Sequence, residues 1–237
     1  MKKVLVAISI CCGISFSAFA QYGGDYEYSR EFVWGITKAT NSGLIGGLMV
    51  RHSRSLSEDV FHGFGLEIVN IKHPQEQKFV HRSTGSAWIF GKSNYLYSIR
   101  LSYGREKVLF RKAPQQGVQI NARAMIGPTF GLEVPYYVEV ADGNRTKQVP
   151  YEEGLADDTI IGGGSFLRGF GDTKLVPGLN TKLSMAFEFG TYRSNVVGLE
   201  VGFQMDVFTR DIILIPTANN SNMFPNAFLT LFYGGRK

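Results

Sequence analysis

Apolar and polar residues alternate with a period of two through most of this chain, the pattern of β-strands whose two faces meet different surroundings. Between Asn94 and Tyr103, the residues Tyr95, Tyr97, Ile99, Leu101 and Tyr103 share one face, opposite Asn94, Leu96, Ser98, Arg100 and Ser102. Val197, Leu199, Val201, Phe203, Met205 and Val207 likewise oppose Gly198, Glu200, Gly202, Gln204 and Asp206. Val118 to Ile126 and Lys182 to Phe189 repeat the pattern. It predicts eight strands, near 31–40, 43–55, 60–73, 94–108, 117–128, 179–191, 196–209 and 226–233. Most exceed the ~9–11 residues that a tilted strand needs to cross a bilayer.

The connections carry a second pattern. Leu56 to Asp59, Leu109 to Gln116 and Tyr192 to Asn195 are short, whereas Pro74 to Ser93, Thr129 to Gly178 and Arg210 to Pro225 are long. Only Asn41-Ser42 is tight among the odd-numbered connections. Short turns at one end and long loops at the other characterise outer-membrane barrels, with the turns and both termini periplasmic. A soluble sandwich, or a cup with its apolar face inward, would alternate in the same way. The polar face argues for the membrane barrel. It carries Gly35, Gly47, Gly63, Gly65, Gly198 and Gly202, and a solvent face has little use for strand glycine. The lumen of a narrow eight-stranded barrel is filled by side chains of mixed size and does use it. The predicted fold is therefore all-β: an eight-stranded antiparallel transmembrane β-barrel over residues 31–237.

The first twenty residues read as a secretory signal peptide. Lys2 and Lys3 precede an apolar run from Val4 to Phe19, and Ala18-Phe19-Ala20 is a cleavage site before Gln21. Both cysteines, Cys11 and Cys12, lie inside it. Lipidation is a weaker reading, because Ile10 stands before Cys11 where a small residue is wanted. Removing this segment lowers the formal charge from +5 to +3 and leaves no basic run, which gives no signal for nucleic acid. Residues 21–30 form a leader with Tyr22, Tyr26 and Tyr28 among acidic residues. On the barrel reading it lies in the periplasm, as a disordered tail or a partner contact.

By parity, Arg51, Glu67, Arg100, Arg123, Lys182, Glu188, Glu200 and Asp206 point into the lumen, four of each sign. Buried charges are tolerated when paired, so an internal salt-bridge network is expected; an ion or proton path is the functional alternative. Tyr95 and Tyr103, outward and eight residues apart, are expected to anchor the two edges of the apolar band. Catalysis at a barrel rim would need a histidine within reach of a nucleophile and a carboxylate. His52 and His62 lie near Ser53, Ser55 and Asp59, and His73 and His81 near Ser83 and Glu76. Such company in loops is common by chance, so no catalytic residue is assigned. Nor is any cofactor or metal ligand assigned. Glu152, Glu153, Asp157 and Asp158 read as a solvated acidic patch, with Ca²⁺ the weaker reading, and Gly162-Gly163-Gly164 as a flexible or turning backbone.

The loop from Thr129 to Gly178 is far longer than an ordinary connection, and loops of more than ~12–15 residues tend to be functional or disordered. Its Tyr136, Tyr137, Tyr151, Phe166 and Phe170 argue against disorder and are candidate partner contacts.

Tyr103-Gly104-Arg105, Gly127-Pro128, Pro135-Tyr136-Tyr137, Gly169-Phe170-Gly171, Pro177-Gly178-Leu179, Phe187-Glu188-Phe189-Gly190 and Leu199-Glu200-Val201-Gly202, in that order, resemble a family of small outer-membrane β-barrel proteins of Bacteroidota. The resemblance covers about half the chain and implies the barrel fold without a catalytic signature. A terminal aromatic, usual in such barrels, is replaced by Phe232-Tyr233 followed by Gly-Gly-Arg-Lys. Together these readings predict a non-catalytic subunit or scaffold of a larger outer-membrane complex, for barrel assembly or protein export. A lipid-active barrel enzyme and a surface adhesin or envelope-stabilising barrel are the alternatives. The partners to expect are outer-membrane lipid, lipopolysaccharide and other outer-membrane or periplasmic proteins.

Overall fold

The computed structural model describes residues 28–43, 45–82, 84–111, 117–143, 145–152, 159–189 and 194–237. The signal-peptide reading and most of the leader fall outside them. Eight long antiparallel strands close on themselves in chain order. They are β1 (Arg30–Ala39), β2 (Gly47–Ser57), β3 (Val60–Ile71), β6 (Asn94–Phe110), β7 (Gln119–Pro135), β11 (Lys174–Phe189), β12 (Asn195–Ile212) and β13 (Ser221–Arg236). Five short strands lie in the loops: β4 (Lys78–Val80), β5 (Ala87–Ile89), β8 (Tyr137–Asp142), β9 (Arg145–Pro150) and β10 (Ile160–Gly163).

Paired residues followed around the ring from Arg30 run through Arg54, His62, Arg105, Ala124, Leu183, Phe203 and Ala227. They arrive at Thr40, ten residues further along β1 than the start. This stagger is what tilts the strands and closes the sheet without an edge.

The two faces of the wall are inverted relative to a soluble protein. Outward positions carry Phe32, Trp34, Leu66, Ile126, Leu183, Phe203 and Leu231, all 40–73% exposed. Inward positions carry Arg51, Ser98, Arg100, Asn121, Asn180, Glu200 and Thr230, all 0–3% exposed. An apolar belt around a closed ring of hydrogen-bonded strands is the solution that lipid demands. The barrel spans a membrane. β13 lines its lumen with Phe224, Phe228 and Phe232, and glycines make room for luminal rings. A Cβ at Gly198 would strike the Phe232 ring, and one at Gly178 would lie 3.0 Å from the Phe208 ring of β12.

Several strands differ in length from the sequence expectation. β7 continues past Pro128, where the predicted strand ends, to Pro135. The β6–β7 ladder pairs Arg100 with Thr129 and resumes at Tyr103 with Ile126, stepping over Pro128, which has no N–H to give. Asn180 repairs the gap from inside the lumen. Its side-chain amide donates to the carbonyls of Leu101 (3.1 Å), Gly127 (2.9 Å) and Pro128 (2.9 Å). β11 starts at Lys174 and β13 ends at Arg236, so the long loop shrinks to 136–173 and Phe232-Tyr233 lie within the last strand. The first connection, read as tight, spans 40–46 because β2 starts at Gly47.

Candidate functional site

All eight sequence-derived luminal residues lie inside the barrel in one network, which recruits three more charged residues: Glu31, Glu106 and Arg236. Near the loop side, Arg100 holds Asp206 with two bonds, Nε to Oδ1 at 2.9 Å and Nη2 to Oδ2 at 2.5 Å. Its Nη1 also reaches Gln204 (3.0 Å) and Glu67 (3.4 Å). Lys182 bonds Glu67 and stands 3.3 Å from Glu200. Glu200 sits at the centre, taking Arg51 and Arg123 at 2.9 Å each and Ser184 at 2.7 Å. Arg123 continues to Glu106 at 2.9 Å, and Asn121 bridges Glu106 (2.6 Å) to Glu188 (2.7 Å). Arg236 closes the turn side, bonding Glu188 and, at 2.7 Å, Glu31.

The phenylalanines of β13 pack against the same cations. Phe232 lies 5.6 Å from Arg51 and 5.4 Å from Arg123, and Phe228 lies 4.4 Å from Lys182. Both ends are capped by apolar side chains. Leu96, Phe208, Ile212 and Leu214 cluster at the loop side, and Tyr28, Phe61 and Val108 at the turn side. Tyr28 belongs to the leader, expected to be free or partner-bound. Instead its ring stacks on Phe61 at 4.7 Å and its hydroxyl accepts from Gln119 at 3.3 Å.

Chemically this is a closed plug. A water-filled passage would leave the waist exposed, yet Arg100, Asn180, Glu200 and Asp206 are 0–1% exposed. Arg51, Arg100, Arg123 and Arg236 stand among its acids, and guanidinium gives up no proton in a protein. Glu31, Glu106 and Glu188 bring carboxylate oxygens within 4.8 Å of one another, as a cation site would. Arg236 and Arg123 already supply the positive charge there.

The histidines do not assemble a catalytic set among the described residues. His52 faces outward while Ser53 is buried inside, so adjacent positions on a strand keep them apart. Asp59 pairs with Arg111 at 2.8 Å. His62 also faces out, edge-on to Phe64 and Tyr103. His73 uses both ring nitrogens on backbone, Nε2 with the Asn219 carbonyl and Nδ1 with the Gln75 N–H, each at 3.2 Å. His81 bonds Thr84 at 3.2 Å, and Ser83 lies outside the described residues. Glu76 is committed to Lys92 at 2.6 Å. Burial pushes the Lys92 ammonium down from its ordinary range, and Glu76 pulls it back up.

The long loop is a folded cap. β8 pairs with both β9 and β10, and β4 pairs with β5 beside them. Trp88, Tyr136, Val138 and Ile160 form its core, with Tyr95 and Tyr151 packed against it. Two of the five proposed contact residues are thus turned inward. Tyr136 is 3% exposed and accepts from the Ile89 N–H at 3.0 Å, while Tyr151 accepts from the Gly91 N–H at 3.3 Å. Burial pushes the Tyr136 phenol up from its usual range. Tyr137 bonds Asp172 at 3.2 Å, and Phe170 is 44% exposed and stacks near Tyr97. Of the Phe166 side chain nothing is described. Tyr95 is no free membrane anchor: it packs edge-on to Tyr136 at 5.2 Å, whereas Tyr103 stays outward.

Gly162-Gly163, read as turning backbone, is strand β10, and it is glycine because the β4–β5 hairpin lies against it. A Cβ at Gly162 would come within 2.7 Å of Ser86. Of the acidic patch only Glu152 is described. Sequence reading missed the cap's outer face. There Phe79 (46%), Val80 (61%) and Phe90 (45%) are exposed together, with Phe79 and Phe90 rings 5.6 Å apart beside His81 and Arg82.

No family model and no curated protein matches this chain. Among solved structures it is similar to Ail, the attachment invasion locus protein of Yersinia pestis, at 8% identity and a TM-score of 0.43, over 90% of this chain and 100% of that one. It is also similar to the N-terminal β-barrel domain of Pseudomonas aeruginosa OprF (8%, 0.35, 89% and 98%) and to Neisserial surface protein A (12%, 0.38, 89% and 97%). The fold assignment stands on the strand registers and the inverted faces, not on these distant likenesses.

Proposed function

We propose that this chain is an integral barrel of the outer membrane, with its turn side and termini in the periplasm and its cap outside, acting as a non-catalytic scaffold in a larger outer-membrane assembly. The export segment and the closed barrel support the location, since exported barrels with this loop asymmetry place their short turns in the periplasm. The observation that carries the function is the exposed Phe79–Val80–Phe90 patch on an ordered cap, above a lumen sealed by ion pairs. A plugged barrel does not conduct, and a cap with its own core is a platform. Contiguous exposed apolar side chains on such a platform mark a protein contact.

The test is to tag the chain at its turn-side end, extract membranes in mild detergent, and take the native mass with whatever co-purifies. Stoichiometric partners are expected with the native chain and lost with Phe79→Ser/Phe90→Ser. A lone barrel in both cases sinks the scaffold reading.

A further inference from the structure

The outer wall carries a second, unpaired set of charges. Arg30, Arg54, His62 and Arg105 stand directly opposite one another on four neighbouring strands, β1, β2, β3 and β6. With strands ~4.8 Å apart, the row is about 14 Å wide. Lys107 lies two residues on from Arg105, opposite Val60. Arg30, Arg54, Arg105 and Lys107 are exposed, and His62 is held facing outward between Phe64 and Tyr103. Of these, Arg30 and Arg54 are like charges directly opposite each other, which destabilises a sheet unless something neutralises them.

Nothing in the protein does so among the described residues. Glu106 points inward to Arg123, while Arg111 takes Asp59 by ion pair and the Glu58 carbonyl by hydrogen bond. The charges also occupy only half the ring. At the turn-side margin of the belt, β7, β11, β12 and β13 carry Ile120, Phe189, Val197 and Tyr233 at outward positions.

Beside Arg105 and Lys107 the wall is hollowed. Ala122 and Ala124 lie across from them on β7, and a groove lined by Lys107, Ala122, Ala124, Leu183, Met185 and Phe203 leads away over the belt. Small residues next to long apolar ones leave a trench on the lipid face that starts at a cation.

We infer that this wall binds an anionic phospholipid, its phosphate on the Arg54–His62–Arg105–Lys107 set and an acyl chain in the Ala122–Ala124 trench. Charge complementarity at the edge of an apolar belt selects this occupant. A free phosphate would have no use for the trench, and a neutral zwitterion would leave the row uncompensated. The inference rests on the membrane-spanning reading above.

The test reconstitutes the full chain into vesicles of phosphatidylcholine with 10–20% phosphatidylglycerol, roughly the range in which surface charge is felt. It then counts retained lipids by native mass spectrometry after mild detergent extraction. Native protein is expected to retain phosphatidylglycerol over phosphatidylcholine. Arg54→Gln/Arg105→Gln should lower that preference about fivefold per arginine removed. Ala124→Phe, which leaves every charge in place, should lower retention of both lipids. The heat-induced gel shift of a folded barrel checks each variant, and Arg105→Lys should keep the preference. Retention that is indifferent to headgroup, or unchanged in the arginine variant, overturns the inference. Failure of the native chain to insert into vesicles at all overturns the membrane reading instead.

Discussion

At the waist of the barrel Arg100, Glu200 and Asp206 are buried among polar side chains, while a short distance above, Trp88, Tyr136, Val138 and Ile160 are buried among apolar ones. The two regions exclude water equally and do so with opposite chemistry, because they face different solvents on their outer sides. The barrel wall must be apolar outside, so its inward positions inherit the polar half of the alternation and have to satisfy it by pairing. The cap stands in water and can build an ordinary apolar core. The lesson concerns cooperativity. Charges in the lumen stand or fall together, because each is compensated by the next, whereas the cap's contacts are local and can be lost one region at a time.

The largest effect should come from Arg123→Met. Arg123 is the partner of both Glu200 and Glu106, and without it the hydrogen bond left to the Glu106 carboxylate among the described residues is the one from Asn121. Removing one partner of a buried pair costs about 3–5 kcal/mol. Denaturant unfolding of the barrel in detergent, followed by the gel shift of the folded form, should show a loss of that size. The paired change Arg100→Met/Asp206→Leu sharpens the point. It removes both partners and leaves Glu67 on Lys182, so it should cost much less than Arg100→Met alone. A double variant as damaged as the single would show that the lumen needs these charges for more than mutual compensation.

Next in size is Asn180→Leu. Three backbone carbonyls around Pro128 lean on its amide. Leaving buried acceptors unmet costs about 1–3 kcal/mol. The same unfolding measurement should show it, while a leucine at Gln204, which is one of several ligands of Arg100, should cost less. Gly198→Leu belongs to the same range. It drives a side chain into the Phe232 ring, and overpacking a filled interior typically costs ~1–3 kcal/mol.

Much of the barrel was legible in the sequence because its signal is periodic. Inward parity found eight luminal charges, and the same parity holds for Glu31 and Glu106, which lie within the predicted strands and only needed to be counted. Arg236 could not be found this way, since strand eight reads as ending at Tyr233, where the glycines begin. Gly127-Pro128 masked the upper half of β7 because a strand with that pair survives only through Asn180, a contact 52 residues away. The cap was legible as ordered but not as arranged. Which of its aromatics turn inward depends on the β4–β5 hairpin meeting β8 and β10, and no local period records that meeting. Tyr136 and Phe79 are both aromatics of the loop regions and have opposite fates, 3% against 46% exposed.

The smallest effect on the barrel should come from the most drastic change to the cap, Trp88→Ala. Trp88 is 6% exposed and touches Phe79, Phe90 and Tyr151, so its loss empties the cap's core. Yet the cap joins the barrel through strand continuity at β7 and through contacts such as Tyr95 on Tyr136 and Phe170 near Tyr97, which are separate from the luminal ion pairs. The barrel's own unfolding should move by no more than ~0.5 kcal/mol, as for a change outside its cooperative unit. Protease should meanwhile cut residues 136–173 readily in the variant and slowly in the native chain. If the unfolding midpoint of the barrel fell along with cap protection, the two regions would be one cooperative body. The ion-paired lumen would then depend on the apolar cap above it.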